Sequence, residues 1–315
     1  MSILAVAARA DRLTLAVGTP HAFHSSEIPT ASCTPLQLFE HILQEVRGRF
    51  PVQPSLKAAA LGSDLPSLRS CLTDLAQLFR SEFGLPAVVI SDEHTDLFLE
   101  ETRLTGCSRF ARAFTGPKLT IRYAAELAAA ELGIPLVTSR FVIVSVGEAV
   151  TVAAVQGGKI LDLSSPYDEG PFSVTTSGTL PFYQLLTFCA AVVSREEAMR
   201  EVTQRSGFKG YLGVESLAEA EALAWHRHDA DLIYSAFVYQ IAKEIGAYGA
   251  VLKGRHSGVV LTGPLLPVNG LRGLSAYLGD VPLLSFPGDF TVQAVLSLGQ
   301  EFSTSGKGLE ADGFC

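Results

Sequence analysis

Residues 141–163 read FVIVSVGEAVTVAAVQGGKILDL. Three β-rich runs, Phe141–Val146, Ala149–Val155 and Lys159–Leu163, are joined by short turns, and Gly157-Gly158 supplies the positive φ that a tight hairpin needs. An earlier passage has the same layout: Ile3–Val6 and Leu13–Val17 flank the polar turn Arg9-Ala10-Asp11-Arg12, and a third short run falls at His21–His24. One meander is used twice.

Outward from these meanders the chain alternates helix and strand. Apolar spacing predicts helices over Pro35–Arg47, Leu65–Phe83 and Pro117–Leu132, with buried strands at Leu56–Leu61 and Ala87–Ser91 between them. After the second meander it predicts helices at Pro181–Val193, Arg195–Thr203, Leu217–His226 and Ala230–Leu252. A strand follows at Gly258–Thr262, then a helix near Gly270–Leu278, a strand at Pro282–Ser285 and a final helix at Thr291–Leu298. The pattern implies a duplicated α/β fold with a cleft between two lobes. The lobes are expected at residues 1–136 and 137–302, followed by a flexible tail over 303–315.

Composition narrows the function. Hydrophobic residues make up 48% and charged residues 18%, the balance of a globular chain. A net charge of −8 without a Lys/Arg cluster argues against nucleic acid and against an anionic membrane surface. Five scattered cysteines (Cys33, Cys71, Cys107, Cys189, Cys315) without a CxxC pair fit a reducing compartment. Met1–Leu13 has neither the basic start nor the apolar run of a signal peptide, and Phe141–Val155 and Leu180–Val193 are too short or too interrupted to span a bilayer. A cytoplasmic protein is expected.

No GxxxxGK[ST] loop, GxGxxG fingerprint, GxSxG elbow or HExxH helix occurs. Gly207, Gly210 and Gly213 read as a glycine-rich loop before a helix rather than an anion cradle. His226 and His228, at i and i+2, diverge on a helix. His21 and His24, and His94 beside Asp92, Glu93 and Asp96, leave a divalent ion open.

A more specific signal is Asp168-Glu169-Gly170-Pro171-Phe172-Ser173 followed by Ser177-Gly178-Thr179-Leu180-Pro181. It resembles the EGPFSPERSGGLP signature of butyrate kinases. The likeness continues through Tyr211-Leu212-Gly213, through Tyr239-Gln240-Ile241-Ala242-Lys243-Glu244-Ile245-Gly246-Ala247 and through Val259-Val260-Leu261-Thr262-Gly263. Residues 137–264 are similar to the acetate and butyrate kinase family in order and nearly in register, and the N-terminal half follows more weakly. The resemblance implies the actin-like ATPase fold, with two RNase H-like lobes and nucleotide bound in a central cleft. It also implies phosphoryl transfer between ATP and a short-chain carboxylate with Mg²⁺.

Such chemistry relies on backbone amides, cations and metal to neutralise the phosphoryl oxygens. Set on the family's first phosphate loop, ILVINPGSTSTKIAV, this chain has Ala7 for Asn, Arg9 for Gly, Ala10 for Ser and Thr14 for Lys. Its second loop, HLGGGISVGA, becomes Ser145 to Ala154, with Ser145 for His and with Glu148 and Ala149 for glycines. At ~4 Å and an effective dielectric of ~20, one like-charge pair between Glu148 and phosphate costs about 4 kcal/mol. The family's arginine falls on Thr176, its FHALN segment on Phe110-Ala111-Arg112-Ala113-Phe114 without the His, its Leu-Thr-Gly-Gly on Leu261-Thr262-Gly263-Pro264, and a late carboxylate on Gln293.

Three readings stand. In the first, the chain is catalytically degenerate and serves as a non-catalytic partner or sensing subunit, with a second copy or an active family member as partner, no cofactor, and an exposed apolar patch. The second is an active short-chain carboxylate kinase with rearranged ligands, using ATP and Mg²⁺. Its phosphate-binding cations would be Arg9, Arg12 and Arg112, and its metal ligands Glu148 or Asp168. Retained nucleotide binding would fall to Gly147, Glu148, Thr262 and Gly263, and the substrate cleft to Phe172, Ser173, Thr176, Ser177 and Gly178. The third is a small-carboxylate binding protein. Gly170-Pro171-Phe172 and Gly178 can equally be turn and packing elements.

Overall fold

A computed structural model describes residues 3–9, 11–30, 35–49, 56–191 and 194–305. Ala10, Cys33, Cys315, the last two residues of the Pro181–Val193 helix and most of the expected tail lie outside the described residues. Ten strands and ten helices are described. The strands are β1 (Ile3–Ala8), β2 (Arg12–Thr19), β3 (Ala22–Pro29), β4 (Ala58–Gly62), β5 (Ala87–Val89), β6 (Arg140–Val146), β7 (Val150–Gln156), β8 (Lys159–Leu163), β9 (Gly258–Gly263) and β10 (Leu283–Pro287). The helices are α1 (Pro35–Arg49), α2 (Arg69–Phe83), α3 (Asp92–Thr95), α4 (Lys118–Glu131) and α5 (Phe182–Ala191), then α6 (Arg195–Gln204), α7 (Gly207–Leu212), α8 (Leu217–Ala224), α9 (His228–Val251) and α10 (Thr291–Ser305).

Two five-stranded sheets share one topology. In order β3-β2-β1-β4-β5, the first three strands are antiparallel and β1, β4 and β5 parallel; β8-β7-β6-β9-β10 repeats this pairing strand for strand. The expected duplication is therefore present, and the β1–β2 connection corresponds to the turn 147–149 between β6 and β7. The central strands are covered on both faces, so β1 (ILAVAA) and the body of β6 (FVIVSV) read as continuous apolar runs instead of alternating ones. The β7–β8 hairpin turns through Gly157 (φ 59°) and Gly158 (φ 75°), as its sequence predicts.

The chain forms two compact units, and their limits differ from the expected ones: residues 1–95 with 290–315, and 96–289. The physical reason is packing. α10 lies on β1, β2 and β4, where Gly299 admits it so closely that a Cβ would stand 2.7 Å from the Ala60 side chain. Residues 96–136 instead belong with the second sheet, because α4 packs on β6 and β9 and the Leu97 amide donates to the Ile160 carbonyl.

In the first unit α1 and α2 cover the other sheet face, burying Leu38, Ile42, Leu72, Leu75 and Phe79 against β1 and β2. In the second unit the two faces are separate cores. Val142, Val144, Val152 and Leu261 meet Phe237, Ile241 and Tyr248 of α9, while Phe141, Ile143, Ala153 and Val260 meet the small residues of α4. α9 starts with Asp229 and Asp231 in its first turn, where carboxylates suit the helix dipole.

Three local expectations are corrected. The span Leu65–Phe83 is a 3₁₀ turn at Pro66–Leu68 followed by α2. The segment near Gly270–Leu278 contains only a 3₁₀ turn at Leu274–Tyr277. Gly207–Leu212 is a short helix rather than a loop, ended by Gly213 in the left-handed conformation.

Candidate functional site

Both turns that correspond to phosphate loops close on themselves. The Arg9 amide donates to the Arg12 carbonyl at 2.9 Å, and the Gly147 amide donates to the Ala149 carbonyl at 3.1 Å. Glu148 exposes its side chain to solvent, but its carbonyl accepts the Ser173 hydroxyl at 2.5 Å. Ser173 Oγ also accepts the amides of Thr175 and Thr176 and lies 2.8 Å from Thr176 Oγ1. Ser173 and Thr176 are 2% and 3% exposed, so this pair is a dry, internally bonded knot between the 147–149 turn and the 172–178 segment.

The rest of that segment is held by packing. Phe172 meets the rings of Phe208 and Phe237 at 5.3 and 5.5 Å, and its amide donates to Gln240 Oε1. Gly178 has φ 62°, and a Cβ there would sit 2.5 Å from the Phe172 amide nitrogen. Ser177 is partly exposed, and its amide donates to Val202 of α6. Thus the five cleft candidates share one segment, but only Phe172 and Ser177 line a cavity, whereas Ser173, Thr176 and Gly178 hold backbone.

Thr262 is fully buried, and its hydroxyl has no hydrogen-bond partner among the described residues. Ser145, its register partner across β6 and β9, is in the same state. Gly263 allows a close approach, since a Cβ would stand 2.3 Å from the Val146 carbonyl oxygen.

Two of the three candidate phosphate-binding arginines are engaged by carboxylates. Arg12 pairs with Glu27 at 3.3 Å and lies 3.8 Å from Asp11, half-exposed on β2. Arg112 donates to Glu169 at 2.6 Å and 3.1 Å, to Asp162 at 3.0 Å and to the carbonyls of Thr102 and Leu163. It also stacks over Phe114, which in turn stacks on Phe98 under the Lys118–Asp96 ion pair. Burial by itself lowers the Arg112 pKa, but the Glu169 hydrogen bond and the charges of Glu169 and Asp162 hold it above its ordinary value. Burial pushes the Asp162 and Glu244 carboxyls up, the latter helped by Glu169, and raises Tyr248. Glu169 was not singled out in the sequence; its place beside Gly170 inside the retained motif was the available signal.

Among the described residues no three His, Cys, Asp or Glu side chains converge as metal ligands, and Glu148 and Asp168 are both exposed. Asp92 pairs with Arg69, Asp96 pairs with Lys118, and His94 Nδ1 accepts the Ser91 amide. No described helix is long and apolar enough to cross a membrane.

Residues 114–268 match the acetokinase family. This segment is similar to acetokinase family domains. It contains the 147–149 turn, the Ser173–Thr176 knot, the cavity and β9. A probable butyrate kinase of Thermotoga petrophila is 31% identical over 222 residues, 69% of this chain and 61% of the relative. One from Listeria monocytogenes is 33% identical over 195 residues, 61% of this chain and 55% of the relative. The match thus spans about three-fifths of the length of these curated relatives. The fold is that of an acetate kinase from Porphyromonas gingivalis (TM-score 0.70, 16% identity, 95% of this chain and 99% of that one). It is also that of a propionate kinase from Francisella tularensis (TM-score 0.69, 14% identity, 95% and 99%). The duplicated α/β architecture is thus the actin-like ATPase fold that the resemblance implied.

Proposed function

We propose that this chain is a butyrate-kinase-like protein that no longer transfers phosphate and acts in the cytoplasm as a non-catalytic partner or sensing subunit. The observation that carries the reading is the Ser173–Thr176–Glu148 knot. Where the resemblance places an arginine for the transferring phosphoryl group, the chain has a buried threonine whose hydroxyl is bonded to Ser173. A neutral hydroxyl cannot replace a bidentate guanidinium. The backbone bonds from Arg9 to Arg12 and from Gly147 to Ala149, and the engagement of Arg12 and Arg112 by carboxylates, support it. Acetate kinases use ATP with Mg²⁺; this reading requires neither.

A partner role is supported by α5. Its sequence, FYQLLTFCAA, carries no charge and has no buried residue, and Phe182, Tyr183 and Leu186 are more than half exposed. Such a face suits contact with a second copy or an active family member.

The test is acyl phosphate formation from butyrate and Mg²⁺-ATP, captured as the hydroxamate. Wild type is expected to give none above background, and the double variant Glu148→Gly/Thr176→Arg a measurable rate. Wild-type turnover would sink the proposal and favour the rearranged kinase.

A further inference from the structure

The second unit contains a cavity of ≈ 610 Å³ bounded by the 177–180 loop, the end of α6, α7 and one face of α9. Its apolar walls are Phe172, Leu180, Leu232, Ile233 and Ala236. Its size is that of sites for small organic ligands.

Charge narrows the ligand class. The charged side chains in the lining are Glu201 and Arg205, 3.8 Å apart, and Arg205 also pairs with Glu197 at 2.6 Å. Among the described residues no unpaired cation faces the space, so a carboxylate or phosphate would lose water without gaining a counter-charge.

The hydrogen-bonding groups narrow it further. Gln240 Oε1 accepts the Phe172 amide at 3.2 Å, which fixes the orientation of the side-chain amide and leaves its NH₂ as the open function. Thr179 Oγ1 accepts the Gly170 amide at 2.9 Å, which leaves its O–H. Among the described residues neither donor has an acceptor. Of the remaining lining hydroxyls, Ser206 donates to the Glu201 carbonyl and Ser177 to the Gly178 carbonyl, while Tyr211 is largely exposed to solvent.

We infer that this cavity binds an uncharged carbonyl compound, an amide or ester with a short aliphatic or aromatic body, whose oxygen accepts from Gln240 and Thr179. The ligand differs from an anionic carboxylate in the one property the site selects against, its charge. The inference goes beyond the proposed loss of phosphoryl transfer and holds whether or not nucleotide binds. It also gives a sensing role a physical route: Phe172 and Ser177 wall the cavity, and between them in sequence Ser173, bonded to Thr176, donates to the Glu148 carbonyl.

The experiment titrates the full chain with hexanamide, hexanoate and hexylamine, read by calorimetry and by ligand-observed NMR. Hexanamide is expected to bind saturably with a Kd of about 1 mM or tighter, and hexanoate and hexylamine at least about tenfold more weakly. Gln240→Glu keeps the acceptor for the Phe172 amide and removes the donors, so it should weaken hexanamide by about tenfold or more. Ala236→Leu should fill the space and abolish binding; if that variant does not fold, Gln240→Glu decides. No saturable hexanamide binding up to about 10 mM would overturn the assignment. So would hexanoate or hexylamine binding as tightly as the amide, or hexanamide affinity unchanged in Gln240→Glu.

Discussion

At residue scale, the buried hydroxyls of Ser145 and Thr262 lack partners among the described residues. An unpaired buried polar group costs about 1–3 kcal/mol, and replacing it by an apolar group of similar shape removes that cost. Thr262→Val and Ser145→Ala are therefore expected to leave stability unchanged or raise it by up to about 1 kcal/mol in urea unfolding. A loss of more than that would mean the hydroxyls bond a group the account omits. Arg112 is the opposite case. Removing it strands Asp162 and Glu169, so Arg112→Ala should destabilise by about 3 kcal/mol, whereas a phosphate ligand free of structural duties would cost far less. The Glu244 carboxyl, raised by burial and then by Glu169, is protonated more readily folded than unfolded. Its contribution is therefore greatest at low pH and falls as pH rises from the ordinary carboxylate range through the raised value. Glu244→Gln should accordingly raise the unfolding midpoint relative to wild type at pH 7, with the difference shrinking toward pH 4.

At the scale of elements, the retained EGPFS and SGTLP segments act as packing devices. Gly178→Ala combines a left-handed φ with a 2.5 Å clash on the Phe172 amide, and about 2 kcal/mol or more of destabilisation is expected in thermal unfolding. α5 behaves differently, because no described residue of its own unit buries it. Phe182→Ser/Tyr183→Ser should leave the unfolding midpoint nearly unchanged and reduce self-association or partner capture in light scattering. A large fall in stability would show that α5 is a core element. Most elements were legible in the sequence because their signals are local: alternating or continuous apolar runs, Gly157-Gly158, and the positions of glycine and proline. α7 was not, since three glycines in seven residues outweigh its short run of helix, and its start is set by Ser173 and Val174 carbonyls accepting from Phe208 and Lys209.

For the whole molecule, the duplication was legible because each meander carries its own pattern, but the division into units was not. Nothing local in Thr291–Ser305 says that this last helix covers β1; that depends on Gly299 meeting Ala60 and Ile3, far away in sequence. The same holds for the site. The substitutions at Glu148 and Thr176 could be read from the chain, whereas the hydrogen bond from Ser173 to Glu148, the carboxylates around Arg112 and the cavity exist only once distant segments meet. Because residues 96–289 hold a complete sheet with both faces covered, that fragment is expected to fold alone with a cooperative unfolding transition. The central claim, that the phosphate-binding turns have been closed by the protein's own contacts, is tested most directly by calorimetric titration of the full chain with Mg²⁺-ATP. The account predicts no saturable heat for wild type; micromolar binding by wild type would contradict it.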